Sequence, residues 1–500
     1  MSSVLSKELS RREVFWFYLF AVSVFVFPIV QVDYLFYDDN QRALLLIESN
    51  WRNEGRILIE FFYRALSFTS ETPNLFPLAY LFAVPSAAFG LRALAYHYFL
   101  QCKLTDCLVL LPLFYSPFSL GIFIYQYDGP AVMIGISAVI YSVAYESGRS
   151  SLKLWIPALL IVVGLAINQL TFNILLGLYC VEAAYAISRG LPFDQVMRSI
   201  YLRAAHVVMA LVMYGMTVYP LMSDERIPFV PIDAHWLTEI MTRLHTVIDR
   251  IALLVNPGNQ WLCVTLIITA ALGYLFAVPG ILKRAIPSSQ KAVLLSLYFM
   301  AIPLLVMTVP GFTLLLKIFD PAARVLIGLS SLLMGVMLFA HSLLGRVSGA
   351  ARYVLIVPVL CMLSFSFMFG RVLLTQKKLE DSVLHSLAYD INSRVELREI
   401  NYLYLVPPES AQKWLPASAD TFREVPALSY VLNRNVLFIP EQLPAVGIEN
   451  VRGLPSTVFN ALNEKTKVVD NRFYDIYQGE GGGYIQLKNV TTYQPERRGQ

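Results

Sequence analysis

Four stretches of this sequence carry residue types that could do chemistry on a polar substrate. Between residues 33 and 73 the adjacent carboxylates Asp38 and Asp39 are followed by Arg42, Arg52, Arg56 and Arg64, among aromatics that include Trp51. A positioned carboxylate can take the proton of a reacting hydroxyl, and neighbouring acids that repel each other are found where such transfers occur. Guanidinium groups bind phosphate oxygens through charge-assisted hydrogen bonds. The second stretch, Tyr125-Gln126-Tyr127-Asp128-Gly129-Pro130, sets a carboxylate beside two tyrosines between apolar segments, a pattern that marks a polar pocket at membrane depth. The third holds the amides Asn168, Gln169 and Asn173, which could hydrogen-bond sugar hydroxyls. In the fourth, Lys317, Asp320 and Arg324 interrupt an apolar run, and their cations could neutralise a lipid phosphate. Each stretch has a plainer reading. These are a charged collar at the headgroups for 33–73, a turn acid for Asp128, helix caps for the amides, and snorkelling side chains for Lys317 and Arg324.

The elements that must hold these residues follow from composition. The 500 residues are 56% hydrophobic, 13% aromatic and only 15% charged, with a mean hydropathy of +0.57. A soluble chain carries roughly 25% charged residues, so a membrane protein is expected. Apolar runs predict spans near 14–32, 74–91, 107–125, 129–146, 154–170, 171–187, 204–222, 260–280, 292–310, 325–343 and 353–370. The first run lacks a small-residue cleavage site and reads as a retained helix. The net charge of +4 reads as topology, not nucleic-acid affinity. Lys and Arg concentrate on alternate connections: fifteen lie on the side of the N-terminus and nine on the other side before residue 371. The N-terminus is therefore expected in the cytoplasm, and an odd number of spans then puts 371–500 outside.

The fold class expected is an α-helical multispanning membrane protein of about eleven transmembrane helices, residues 1–370, with a small C-terminal α/β soluble domain, residues 371–500. Within the first external loop, Leu44, Ile47 and Trp51, then Ile57, Phe61 and Ala65, predict two short helices along the interface. A second amphipathic helix is expected in 223–259, where Trp236, Ile240, Leu244, Val247, Ile251 and Leu254 form an apolar stripe with Glu239, Arg243, Asp249 and Arg250 elsewhere. In the tail a helix over 376–394 precedes short strands at 400–405, 435–439 and 484–488. Gly479–Gly483 reads as a flexible turn, because no strand–helix phosphate-binding pattern surrounds it. The five cysteines lie in or beside apolar segments, so no disulfide is expected outside the membrane. The six histidines show no metal-ligand spacing. No metal and no cofactor are expected.

The first loop also resembles a known family. Asp38-Asp39-Asn40-Gln41-Arg42, then Trp51, Gly55-Arg56 and Pro73-Asn74, are similar to the first external loop of the serotype-converting O-antigen glucosyltransferases (glucosyltransferase II). Tyr125–Pro130 looks like that family's aromatic–Asp–Pro turn, and Asn168-Gln169 with Asn173 like its amide motif. The likeness covers roughly residues 10–370, with motifs concentrated before 180; the tail matches nothing. It implies the GT-C architecture, a catalytic acid in the first external loop, an undecaprenyl-phosphate glucose donor and a lipid-linked O-antigen or polysaccharide acceptor. It also implies a bacterial inner membrane with the active side periplasmic. No nucleotide-sugar site is needed, and none is visible.

On this reading a single inverting displacement is expected, with one of Asp38 and Asp39 as general base and Asp38 slightly favoured. Arg42 and Arg56 would hold the leaving phosphate, assisted by Lys317 or Arg324. Asp128 would orient the acceptor or share the base's role, and Trp51, Tyr127, Asn168 and Gln169 would contact substrate. A lipid flippase or transporter is the main alternative, but it calls for internal repeats and midplane acids, and no repeat is found. An O-antigen polymerase or ligase would concentrate its arginines in later loops, whereas here the first loop is rich in them.

Overall fold

The computed structural model describes residues 7–44, 51–222, 227–407, 418–433, 440–462, 465–479 and 481–488. It is mostly helical, and the expected strand at 435–439 and the stripe residue Ile47 lie outside the described residues. Eight of the described helical segments are long and apolar enough to cross a membrane: Arg11–Val32, Leu104–Phe123, Thr171–Ser188, Phe193–Leu221, Gln260–Leu282, Ser288–Met307, Leu329–Val347 and Ala351–Asn392. Asp128–Ala144 and Ser151–Ile167 are apolar but shorter, and the continuous helix Tyr80–Tyr98 carries Arg92 and His97 in its second half. These eight fit a membrane protein.

The chain separates into two compact units. The first holds the described residues of Met1–Gln31, Ser49–Ser70 and Leu75–Phe367. Its innermost element is Leu104–Phe123, whose whole apolar window is buried, as expected of a helix that is hydrophobic all round. Around it, Tyr80–Tyr98 packs on Asp128–Ala144, Thr171–Ser188 on Ser288–Met307, and Gln260–Leu275 on Leu329–Val347. Large apolar side chains such as Phe20, Met216 and Trp261 point outward and are well exposed, the surface expected to meet lipid. Buried charges in this bundle are partnered, as a low-dielectric setting demands. Glu182 accepts from Arg203 Nη2 at 2.8 Å and Nε at 3.0 Å and meets His97 Nε2 at 3.1 Å. Asp106 lies 2.9 Å from His341.

The second unit holds the described residues of Val32–Glu48, Glu71–Asn74 and Met368–Gln500. It contains a five-stranded sheet: β1 (Leu403–Val406), β2 (Val451–Gly453), β3 (Lys465–Asp470), β4 (Tyr474–Gly479) and β5 (Gly482–Leu487), in the order β2-β1-β5-β4-β3. β1 runs parallel to both neighbours, with Leu403 opposite Val451 and Gly483, and β5-β4-β3 form an antiparallel meander. One sheet face carries Leu403, Leu405, Ile476, Ile485 and Leu487, which pack against Val383, Leu387 and Ile391 at the end of the helix Ile356–Asn392. The other face carries Tyr404, Tyr484 and Tyr477 in one row, with Phe459 laid over Tyr484 and Tyr477. The expected strands at 400–405 and 484–488 are therefore β1 and β5. The expected helix at 376–394 is the continuation of a single 37-residue helix.

Candidate active site

In the first unit the candidate residues converge on Asp128. This carboxylate sits in the first turn of the helix Asp128–Ala144 and is nearly buried, where the helix N-terminus favours negative charge. Trp51, completely buried, donates its indole Nε1–H to Asp128 Oδ1 at 3.0 Å. Arg56 Nη1 lies 3.9 Å from the same oxygen and 3.3 Å from Glu54. Tyr63, one helical turn and more into Ile57–Ser67, places its hydroxyl 3.0 and 2.9 Å from the carbonyls of Gln126 and Tyr127. Its ring stacks on Trp51 at 6.0 Å and meets Tyr127 at 5.0 Å. Arg324 donates to the Tyr125 hydroxyl at 2.8 Å and lies 3.6 Å from Asp320. An aromatic nest around one carboxylate, with two guanidiniums on its turn, is the result.

The turn that presents Arg56 is braced from the third motif. Gly55 has φ +76°, and a β-carbon there would stand 2.6 Å from the Tyr214 hydroxyl and 2.8 Å from Gln169 Nε2. Gln169 donates to the Glu54 carbonyl at 2.7 Å and to the Tyr214 hydroxyl at 3.1 Å. Asn168, buried, accepts from the Leu170 amide at 2.9 Å. Asn173 donates to the Pro310 carbonyl at 3.0 Å and fills the space where Gly311, φ +56°, would carry a side chain. The amide motif thus ties loops together from inside the first unit. Lys317 is exposed, and its backbone is used by the Pro228 carbonyl at 2.7 Å.

Asp38, Asp39 and Arg42 belong to the second unit, in the helix Asp38–Leu44. The two acids differ sharply. Asp38's side chain is 64% exposed and lies 3.9 Å from Arg42. Asp39 is 0% exposed and accepts from the Phe36 amide at 3.5 Å. Asp33 and Tyr37, on either side of this approach, take positive φ values of 49° and 45°. For side chains with a β-carbon such values cost on the order of 1–3 kcal/mol each, and they persist only where the surroundings over-determine them.

Two features were not anticipated from the sequence. Trp51 does not continue an interfacial stripe but fills a turn at Asp128. Arg243, assigned to the polar side of its helix, is buried and donates to the carbonyls of Leu314 at 2.8 Å, Leu316 at 2.6 Å and Lys317 at 3.2 Å. An arginine three residues from Ile240 and four from Val247 could have signalled that face.

The family described as Glucosyl transferase GtrII matches residues 27–334, a span that contains every candidate residue from Asp38 to Arg324. The chain belongs to the GtrII family. No curated protein and no solved structure matches it. GtrII membership makes the chain a glucosyl transferase, with a sugar donor and an acceptor as its substrates. The GtrII match stops before the tail, so the five-stranded sheet is no part of it.

Proposed function

We propose that this GtrII-family chain moves a glucosyl unit from a polyprenyl-phosphate donor to a lipid-linked O-antigen or polysaccharide acceptor, on the periplasmic face of a bacterial inner membrane, as a GT-C type enzyme. What carries the reading is the buried Asp128 carboxylate held by Trp51 at 3.0 Å and Arg56 at 3.9 Å, inside the matched region and beside exposed Arg324. A site built from one fixed carboxylate, aromatic faces and guanidinium groups suits a hydroxyl-rich ring joined to a phosphate.

The chemistry is one displacement. An acceptor hydroxyl oxygen bonds to the anomeric carbon, the bond from that carbon to the phosphate oxygen breaks, and its electron pair leaves with the phosphate. The configuration inverts. The hydroxyl proton passes to Asp38, whose side chain is open to solvent, while Asp39 spends its carboxylate on its own turn. Arg42, Arg56, Arg324 and Lys317 are the cations available to the departing phosphate, and Trp51, Tyr127, Asn168 and Gln169 shape the ground on which Asp128 orients the acceptor.

Purified protein given labelled polyprenyl-phosphate glucose and acceptor tests this directly. Asp38→Asn is expected to lower kcat by roughly 10²- to 10⁴-fold, the range of a lost general base. Full activity in both Asp38→Asn and Asp39→Asn overturns the reading of an aspartate as general base. Movement of donor lipid across vesicles with no transfer to acceptor would favour a flippase instead.

A further inference from the structure

Within the second unit, the segment bearing Asp38 and Asp39 is gripped by residues far along the chain. Lys377 Nζ donates to the carbonyls of Val32 at 3.0 Å and Asp33 at 2.6 Å, at the first residue of positive φ. The Tyr34 hydroxyl donates to the buried Glu380 carboxylate at 2.9 Å, which also accepts from Gln376 Nε2. Tyr37, the second residue of positive φ, donates to the Asn433 carbonyl at 3.1 Å. Asn40 is fully buried; its amide Nδ2 is spent on Leu35 and Tyr37 carbonyls, so its Oδ1 faces and accepts Gln442 Nε2 at 3.1 Å. Gln41 donates to Glu441 at 2.8 Å. Contacts from six residues, 32 to 34, 37, 40 and 41, bracket the acid pair. The distant partners Lys377, Glu380, Asn433, Glu441 and Gln442 lie beyond residue 334, where the family match ends.

We propose that the C-terminal region is a positioning clamp for this segment, with Gln442 and Glu380 as positioning residues that set where the Asp38 carboxylate stands. The inference rests on the reading of Asp38 as general base. Its logic is that two left-handed non-glycine residues cannot hold this turn by themselves, and that a misplacement of about 1 Å in a reacting group can cost on the order of 10²-fold in rate. The clamp therefore converts tail contacts into a turnover effect.

The test is kinetic and uses the full-length protein. Gln442→Glu sets one acceptor against another at Asn40 Oδ1. It is expected to lower kcat roughly ten- to a hundredfold, with KM for polyprenyl-phosphate glucose changed less than about twofold. In an Asp38→Asn background the same change should alter the residual rate less than about twofold, because no base remains to be misplaced. Tyr34→Phe, which removes one hydroxyl and keeps the ring, should lower kcat several-fold and guards against a Gln442→Glu protein that does not fold. An equal fold-loss in both backgrounds, or an effect confined to KM, overturns the clamp and leaves the base reading standing. Full activity of Asp38→Asn overturns the base reading, and the clamp with it.

Discussion

At the scale of single residues, the Trp51–Asp128 hydrogen bond decides the most. Both groups are buried, and the Asp128 oxygen that accepts this N–H at 3.0 Å also has the Arg56 guanidinium at 3.9 Å. Trp51→Phe keeps an aromatic against Tyr63 and removes the N–H alone. It should lower stability by about 1–3 kcal/mol, the cost of leaving a buried polar group under-satisfied, read as a lower melting temperature in detergent, and it should reduce kcat/KM for glucosyl transfer. Gly55 is the second decisive residue. Gly55→Ala imposes a left-handed backbone on alanine, about 1–2 kcal/mol, and drives a methyl into Tyr214 and Gln169. Transfer should fall at least about tenfold as Arg56 shifts. Tyr214→Phe, by removing the nearest atom, should restore part of that loss when combined with Gly55→Ala; no recovery would place the damage elsewhere.

At the scale of elements, the presence of the helices was largely legible, because apolar runs of bilayer length leave little choice of structure, but their limits were not: the helix expected at 204–222 begins at Phe193 and the one expected at 353–370 runs to Asn392. The amphipathic helix Trp236–Ala252 was legible too, but the role of Arg243 was not. Periodicity reports the face a residue sits on, and not that carbonyls 71 to 74 positions later will receive it. The same holds for Gln169, which reaches a carbonyl 115 residues away, and for Trp51, 77 residues from its acid. Of the sheet, β1 and β5 were readable from their apolar runs. β3 was not: Lys-Thr-Lys-Val-Val-Asp is an edge strand with little apolar alternation, its Lys465 lying over the Phe459 ring and its Lys467 bonded to Asp475, and lysines are a composition that keeps edges from pairing further. Removing the Arg243 clamp with Arg243→Met should free residues 311–317 and speed proteolysis there and at 227–259. Arg243→Lys should not rescue it, since a single lysine nitrogen cannot stand at the two positions from which Nη1 and Nη2 reach these carbonyls. The edge strand also makes a pH prediction. Asp470 is held below its ordinary carboxylate value chiefly by the hydrogen bond from Lys488, then by Lys467, and Lys467 is pushed up to about 12 chiefly by Asp475. A depressed acid stabilises the fold above its unfolded value and loses that contribution as pH falls through the lower folded one. A raised lysine contributes fully below 10.5 and loses it as pH rises through about 12. The difference in melting temperature between wild type and Asp470→Asn should therefore be constant near neutrality and vanish only below pH 3.8. It should also shrink in 0.5 M salt, because these groups are exposed and screened.

At the scale of the whole molecule, function depends on which side of the bilayer each part of the chain faces, and that depends on parity. Eight described segments meet the length and composition for crossing; an even number would return the C-terminus to the side of the N-terminus. Tyr80–Tyr98, Asp128–Ala144 and Ser151–Ile167 decide the matter, since all three crossing makes the number odd. Asp128–Ala144, with 17 residues, reaches about 25 Å, short of a hydrocarbon core of roughly 30 Å. Such helices are accommodated by local thinning of the bilayer or by packing against neighbours, and this one is buried along most of its length against Tyr80–Tyr98 and Ser150–Ile167. The charge asymmetry supplies an independent vote. Fifteen basic residues fall on one set of connections and nine on the other before residue 371, an asymmetry from which the basic set is expected in the cytoplasm. Together these predict that, in a cysteine-free background and in intact cells, a membrane-impermeant maleimide labels Arg472→Cys in the exposed turn between β3 and β4 and spares Asp194→Cys at the start of Phe193–Thr217. Labelling at Gln41→Cys should follow Arg472→Cys, because the acid-bearing segment and the sheet belong to one compact unit. Labelling of Asp194→Cys alone would put Asp38 in the cytosol, where a polyprenyl-phosphate donor gains nothing over a soluble one, and the proposed reaction would lose its reason.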